Sequence, residues 1–234
     1  MNRIHLIKCV FLTSGLAAVM GCEPKPKDTT AIAMATQKAS TAPADVAFMV
    51  DGTASAGENR KKGLAQLSFL LKPGTLAKGS KINLFRMDCL PKSIWSGKVT
   101  SGNNKEIVDA FNEALDGSHQ CGTDGCKAFA KALDWLISEG QKDPSARLIL
   151  TGYHDGIADE CRSGKGEAHP AREATFLWSG AKAAGVEVVL FGISEDIAPQ
   201  LRAAWAPRLT SLSLYTPSHQ ITKEDLGFAP GSLF

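Results

Sequence analysis

Short, nearly continuous apolar runs recur along the chain at the length of β-strands. Strands that are buried on both faces of a sheet show this pattern, because neither face accommodates polar side chains. Alternating apolar and polar residues instead predict a strand at the edge of a sheet. The continuous runs cover 46–50, 82–87, 147–153 and 186–193, and the alternating stretches cover 93–99 and 211–215.

Helical periodicity fills the intervals between these strands. Leu64, Leu67 and Leu71 fall on one helical face, and residues 126–137 repeat apolar side chains at helical spacing over three turns. A further helix is predicted at about 173–184, before a glycine. Strands that alternate with helices indicate an α/β fold with a mostly parallel sheet. Such sheets bind ligands at the carboxyl ends of their strands, where the strand order reverses.

The first residues of the chain follow a different pattern. Arg3 and Lys8 precede an apolar stretch at 9–20 that is followed by a glycine and Cys22. This stretch is too short to span a bilayer, so it indicates a signal peptide at 1–21. The small residue before Cys22 resembles the lipobox of bacterial lipoproteins, which implies that the thiol is acylated. An ordinary cleaved signal that happens to contain this cysteine is the alternative.

The sequence divides the remaining chain into a tether and one domain. Residues 22–45 are rich in Pro, Lys, Thr, Ala and Ser without an apolar period, so we expect a flexible linker. Residues 46–234 are enough for a single domain with a full core. We expect a lipid-anchored protein of the bacterial cell envelope whose domain faces the periplasm. Glu23, rather than Asp, after the acylated cysteine favours the outer membrane over the inner membrane.

The charge balance excludes one class of partner. The 234 residues include 26 basic and 24 acidic residues, a net charge of +2. Removal of residues 1–21 takes away two basic residues and brings the net charge to zero. A charge this small and this evenly spread argues against binding to nucleic acid.

Oxygen-bearing side chains follow several of the predicted strands. Asp51, Thr53 and Ser55 alternate directly after the first strand. Their carboxylate and hydroxyl oxygens are ligands that suit Mg²⁺, or Mn²⁺, better than zinc. Thr123 precedes the amphipathic helix, and Asp155 ends the strand at 147–153. Each residue taken alone could cap a helix, but three loops that meet at one edge of a sheet favour a metal site.

These motifs resemble the von Willebrand factor A (vWA) family. Its metal-ion-dependent adhesion site, or MIDAS, joins a DxSxS loop, a threonine before a later helix and an aspartate at the end of the next central strand. The resemblance covers 46–215 and implies a Rossmann-like sheet with helices on both faces and a short antiparallel edge strand. It also implies an open coordination position on the metal, which accepts an acidic side chain of a protein partner.

The family pattern assigns a role to each matching residue. The resemblance implies that Thr53 and Ser55 bind Mg²⁺ directly and that Thr123 binds it directly or through water. Asp51 and Asp155 would act mainly through bound waters. Two positions depart from the pattern. Thr53 replaces the commoner serine and keeps the oxygen, whereas His154 stands where a serine or threonine usually precedes the aspartate.

Four cysteines remain in the domain of an exported protein. In an oxidising compartment they can form two disulfides, and three connectivities are open. We expect all four at the metal edge, and we favour Cys121 with Cys126 and Cys89 with Cys161. A zinc site that includes neighbouring histidines is the alternative, although the Cys-x4-Cys spacing differs from the CxxC pairs of zinc ribbons.

Two classes of function compete for the predicted metal site. The first is a binding module that docks on an acidic group of a protein partner. The alternative is a metal-dependent, phosphatase-like hydrolase that uses Asp51, Thr53 and Asp155. The nucleophilic aspartate of haloacid-dehalogenase phosphatases would fall at Met49, whose thioether cannot form an aspartyl phosphate. Ser55 also lacks the Gly-x-Ser-x-Gly elbow of serine hydrolases. We therefore expect a binding module and not an enzyme.

Overall fold

A computed structural model describes the chain from residue 42 to residue 227, with gaps. The described ranges are 42–51, 57–87, 92–116, 125–154, 162–163, 167–168 and 175–227. The strands in these ranges are β1 (Ala44–Asp51), β2 (Lys81–Met87), β3 (Lys92–Lys98), β4 (Arg147–Tyr153), β5 (Arg162–Ser163), β6 (Glu167–Ala168), β7 (Glu187–Phe191) and β8 (Ser211–Tyr215). The helices are α1 (Gly57–Leu70), α2 (Asn104–Asp116), α3 (Gly125–Lys142), α4 (Thr175–Ala184) and α5 (Ala198–Trp205).

Six of these strands form one sheet in the order β3-β2-β1-β4-β7-β8. All neighbouring pairs are parallel except β2 with β3, which is antiparallel. The central strand β1 is buried along its whole length, whereas the edge strand β3 is mostly exposed. The mostly parallel sheet with one antiparallel edge strand confirms the fold class expected from the sequence. Strands β5 and β6, of two residues each, pair with each other in a separate antiparallel sheet.

Two hydrophobic cores lie on opposite faces of the sheet. One core packs α3, α4 and α5 against the sheet, with Leu133, Leu136 and Trp205 among its buried side chains. The other core lies under α1 and α2 and includes Leu67 and Phe111. The predicted helical faces of α1 and α3 are therefore the faces that the protein buries. None of the helices in the described ranges has the length and apolar character needed to cross a bilayer.

Two helices were missed by the sequence patterns. Helix α2 buries Ile107, Phe111 and Ala114, which repeat at i, i+4 and i+7. Its one buried stripe is as regular as that of α3, so the periodicity could have revealed it. Helix α5 has only eight residues, with a proline in its first turn and two buried side chains, Leu201 and Trp205. A segment this short offers too little periodicity to separate it from a loop.

The last described segment, residues 216–227, has no long helix. It leaves the carboxyl end of β8 and contains only one short 3₁₀ turn, Glu224–Leu226. Leu226 is 1% exposed and belongs to the core under α1 and α2. The guanidinium of Arg147 donates hydrogen bonds to the carbonyl oxygens of Leu226 (3.0 Å) and Gly227 (3.1 Å). This segment therefore covers the sheet, and the hydrogen bonds from Arg147 to its backbone hold its end in place.

Candidate metal site

The strand order reverses between β1 and β4, and the end of this strand pair is the candidate metal edge. From β1 the chain passes to β2 and β3 on one side, then returns to β4 on the other side. Asp51 is the last residue of β1, pairs with Met87 of β2 and is 7% exposed. Val50 pairs with Tyr153, the last residue of β4, so the carboxyl ends of β1 and β4 are adjacent. Such a reversal is where open α/β sheets bind ligands.

The residue before Asp155 is held firmly at this edge. The backbone N–H of His154 donates to the carbonyl oxygen of Phe191 (2.8 Å), and the residue is 3% exposed. The imidazole meets the Phe129 ring edge-on, with 6.4 Å between the ring centroids. Phe129 lies near the start of α3 and packs in turn against Trp205 at 5.2 Å. His154 therefore joins the end of β4 to the start of α3.

Two glycines allow the backbone to pack closely here. A Cβ on Gly152 would lie 2.6 Å from the carbonyl oxygen of Met49, so no larger residue fits between β1 and β4 without a backbone shift. Gly192 has φ +88°, and a Cβ there would lie 2.7 Å from the ring of Tyr153. The close packing fixes where β1 and β4 end, next to the predicted ligands Thr53, Ser55 and Asp155 in the sequence.

Only one of the five predicted metal ligands lies in the described part of the chain. Asp51 is placed as expected at the end of β1. Thr53, Ser55, Thr123 and Asp155 lie outside the described residues. Among the described residues there is no group of three or more His, Cys, Asp and Glu side chains that could hold a metal ion. The predicted ligand set thus stays a prediction, and the structure supplies the position of the strands and helices that flank it.

The disulfide prediction also stays untested. Cys89, Cys121 and Cys161 lie outside the described residues, as does Cys22, the predicted acylation site. Cys126 lies in the first turn of α3, but its side chain is outside the described part.

An aromatic and acidic cluster at the carboxyl ends of β7 and β8 was not foreseen. The rings of Phe191, Tyr215 and His219 stack, with centroid distances of 4.9 Å for the first pair and 4.3 Å for the second. The His219 ring pairs with the Asp225 carboxylate (2.8 Å), which also accepts a hydrogen bond from the backbone N–H of Thr222 (2.7 Å). These contacts bring Phe191 of β7 against Tyr215 and the segment that follows β8, and no sequence motif predicts them.

The electrostatics of this cluster follow from its hydrogen bonds. Burial raises the pKa of the Asp225 carboxyl, but hydrogen bonds from His219, Thr222 and Tyr215 outweigh burial and leave the pKa below its usual range. Burial and the hydrogen bond to Asp225 raise the pKa of the Tyr215 hydroxyl. Asp225 is therefore ionised at neutral pH and anchors the segment that follows β8.

Trp95 is a large aromatic side chain on the edge strand of the sheet. It lies half-buried on β3, and its indole N–H donates to the Glu106 carboxylate of α2 (2.7 Å). The ring also lies over Gly97, where a Cβ would come within 3.0 Å of it. The polar end of Trp95 is therefore used within the domain.

Neither a family model nor a curated protein matches the sequence. Solved structures do match. Proximal thread matrix protein 1 from the mussel byssus is 16% identical with a TM-score of 0.53, over 80% of this chain and 47% of its own. The chain thus spans about half of the mussel protein.

Of two further matching structures, one is named for the vWA family and the other contains a metal. A von Willebrand factor type A structure from Catenulispora acidiphila is 12% identical with a TM-score of 0.51, over 80% of this chain and 40% of its own. Manganese-loaded TRAP from Plasmodium vivax is 15% identical with a TM-score of 0.51, over 81% of this chain and 74% of its own. At these identities the likeness concerns the fold, and it agrees with the strand order found above. The chain has the von Willebrand factor A fold.

Proposed function

We propose that this protein is an exported, lipid-anchored binding module that docks on an acidic group of a protein partner through a divalent metal at the candidate metal edge. The observation that carries the proposal is the place of Asp51. Its carboxylate stands at the end of β1, at the reversal of strand order, beside the strand that leads into Asp155. A buried carboxylate in this crevice is an oxygen ligand of the kind that Mg²⁺ and Mn²⁺ prefer.

The flanking elements support the full ligand set. Thr53 and Ser55 belong to the loop between β1 and α1, Thr123 directly precedes α3, and Asp155 follows His154. Contact between His154 and Phe129 places the start of α3 beside the end of β4. These residues would hold the ion, and the ion would supply a coordination position for a partner carboxylate. The manganese-loaded state of one protein with this fold supports a divalent cation.

The basic residues of α1 support a partner that carries an acidic group. Arg60, Lys61 and Lys62 follow one another near the start of α1, which begins directly after the loop that contains Thr53 and Ser55. Lys61 is exposed. A basic stretch beside the metal attracts an acidic group and disfavours a basic one. A binding role of this kind needs no catalytic residue, and we propose none.

Anchoring completes the proposal. Acylation of Cys22 would tether the domain to the envelope membrane, with the outer membrane favoured by Glu23. The predicted linker would join the lipid anchor to the start of β1 at Ala44.

Calorimetric titration with Mg²⁺ and Mn²⁺ tests the metal site. We expect wild-type protein to bind either ion weakly, because the partner carboxylate that completes the coordination is absent. Asp51→Ala should abolish this binding and leave the melting temperature in chelator almost unchanged, since Asp51 lies at the rim of the sheet. Glu113→Gln, which removes an exposed acid from α2, is the matched control and should bind like wild type. Equal ion binding by Asp51→Ala and wild type would refute the site.

A further inference from the structure

The amino ends of the strands form a face with a surplus of positive charge. We call this the amino-end face and define it by the residues at 42–45, 71–81, 98–106, 139–147, 182–187 and 205–211. These segments contain nine basic and five acidic residues, a net charge of +4. Lys223 and Glu224, which approach this face through a hydrogen bond from Lys223 to Gly74, offset one another. The whole chain has a net charge of only +2, so the charge is unevenly distributed.

The outer surface of this face is more positive than the count suggests. Two of its five acids, Asp45 and Glu139, are only 2% and 7% exposed, and Glu187 forms an ion pair with Arg147 (2.8 Å). Among the five, Glu106 is the one that is exposed. The basic side chains are mostly exposed, namely Lys72, Lys78, Lys98, Lys105, Lys142, Lys182 and Arg208. They come from five separate segments, so they surround the end of the sheet instead of forming one local run.

The chain enters the domain at this same face. The backbone N–H of Arg147 donates to the carbonyl oxygen of Pro43 (2.9 Å), and the N–H of Ala44 donates to the Ser80 hydroxyl (2.9 Å). Asp51 lies at the opposite end of β1, about 23 Å away at the rise of a strand. A tether on the amino-terminal side of β1 therefore pulls on the amino-end face and leaves the candidate metal edge at the far end of the domain.

We propose that the amino-end face docks on anionic phospholipid headgroups of the membrane that holds the lipid anchor. Attraction between lysines and anionic lipid acts only within about 8 Å at physiological salt. A basic surface beside a lipid anchor supplies a second attachment, which orients the domain on the membrane. Docking in this way turns the candidate metal edge toward the space away from the membrane, where a partner is accessible. The orientation rests on the anchoring proposed above, whereas the charge distribution is independent of the metal.

Vesicle binding tests the face without acylation. The probe protein is the chain from residue 22 onward with Cys22→Ser, in chelator, mixed with phosphatidylcholine vesicles that either contain or lack phosphatidylglycerol. We expect it to sediment with the phosphatidylglycerol vesicles at low salt, to leave them at high salt, and not to bind pure phosphatidylcholine. Lys78→Gln/Lys98→Gln should lower the partition coefficient by about fivefold for each lysine removed.

A matched pair of substitutions at the other end of the domain shows whether the face matters. Lys92→Gln/Lys131→Gln removes the same charge from exposed positions near the carboxyl ends of the strands and should bind like the parent. All four lysines are on the surface, so melting temperatures should agree. Failure to bind phosphatidylglycerol vesicles, or equal losses in the two double variants, would overturn the proposal. Because chelator is present throughout, neither result depends on whether the metal site exists.

Discussion

The two ends of the central sheet differ in what holds them. At the amino end, charged side chains from distant parts of the chain form ion pairs: Arg147 with Glu187, and Lys81 with Glu139 (2.5 Å). At the carboxyl end, close backbone packing takes this role, with Gly152 against Met49. Ion pairs between charged side chains therefore hold the amino end of the sheet. The carboxyl end is held by close backbone contacts that only a glycine permits.

Because different interactions hold the two ends of the sheet, the two ends are suited to different roles. Ion pairs at the amino end join β4 to β7 and β2 to α3, and they leave a surplus of exposed lysines. Glycine contacts at the carboxyl end let β1 and β4 approach closely, so the loop after Asp51 and the loop after His154 start side by side. A binding site on loops needs such a rigid base, because ligands must be held in position before the ion arrives. Variants at the two ends should therefore fail in different ways.

The largest effect is expected from Gly152→Val. The new Cβ would lie 2.6 Å from the Met49 carbonyl oxygen and 2.8 Å from the Met49 Cβ, so the backbone of β1 or β4 must move. We expect a loss of about 3 kcal/mol or more in the free energy of unfolding, measured with urea. Gly102→Ala in an amino-end loop, where the nearest heavy atom would be 3.8 Å away, is the control and should change stability little. Similar losses in both variants would contradict the comparison.

A smaller loss, about 2 kcal/mol, is expected from Arg147→Ala at the amino end. The substitution leaves the Glu187 carboxylate and the carbonyl oxygens of Leu226 and Gly227 without the guanidinium. Arg147→Lys keeps the charge but not the planar fork, so it should recover only part of the loss. Urea unfolding gives the three values. Full recovery by lysine would show that charge alone matters at this end.

The sequence predicted the strands well because buried parallel strands leave a strong pattern. The run at 147–153 coincides with β4 and the alternating stretch at 211–215 with β8, and β1 extends the predicted 46–50 by only a few residues. Burial on both faces selects continuous Val, Ile, Leu and Phe, and few other structures produce such runs. The edge strand predicted at 93–99 was shifted by one residue from β3, because alternation marks a strand but not its ends.

The sequence could not predict which charges pair across the sheet. Arg147 and Glu187, or Lys81 and Glu139, become neighbours only once the strand order is known. The predicted metal motif was visible because Asp51, Thr53, Ser55 and Asp155 stand at or shortly after predicted strand ends, and Asp51 does lie at the end of β1. The stack of Phe191, Tyr215 and His219 had no such signal, since it depends on how the chain turns after β8. Local patterns thus predicted positions along the chain, whereas long-range pairs needed the fold.

The smallest effect concerns the pH dependence of the amino-end ion pairs. Burial raises the pKa of the Glu139 carboxyl, but hydrogen bonds from Lys142 and Lys81 outweigh it and hold the pKa below its ordinary value of 4.5. A carboxyl with a lowered pKa stabilises the fold above its unfolded pKa, and this contribution is lost as the pH falls through the folded pKa. Burial, by contrast, raises the pKa of Asp45, and the nearby charge of Lys81 does not fully offset it. Its contribution is present at low pH and is lost as the pH rises.

The two acids should therefore give opposite results when they are neutralised. Urea unfolding between about pH 6 and pH 3 should show wild-type protein losing stability in acid. In Glu139→Gln this loss should be smaller, because the group that must take up a proton is gone. In Asp45→Asn the loss should be larger, because a group that favours the folded state in acid is gone. Lowered pKa values elsewhere, such as that of Asp225 at the carboxyl end, are common to all three proteins and cancel in the differences. Parallel curves for the three proteins would show that the amino-end acids do not set the acid sensitivity of the fold.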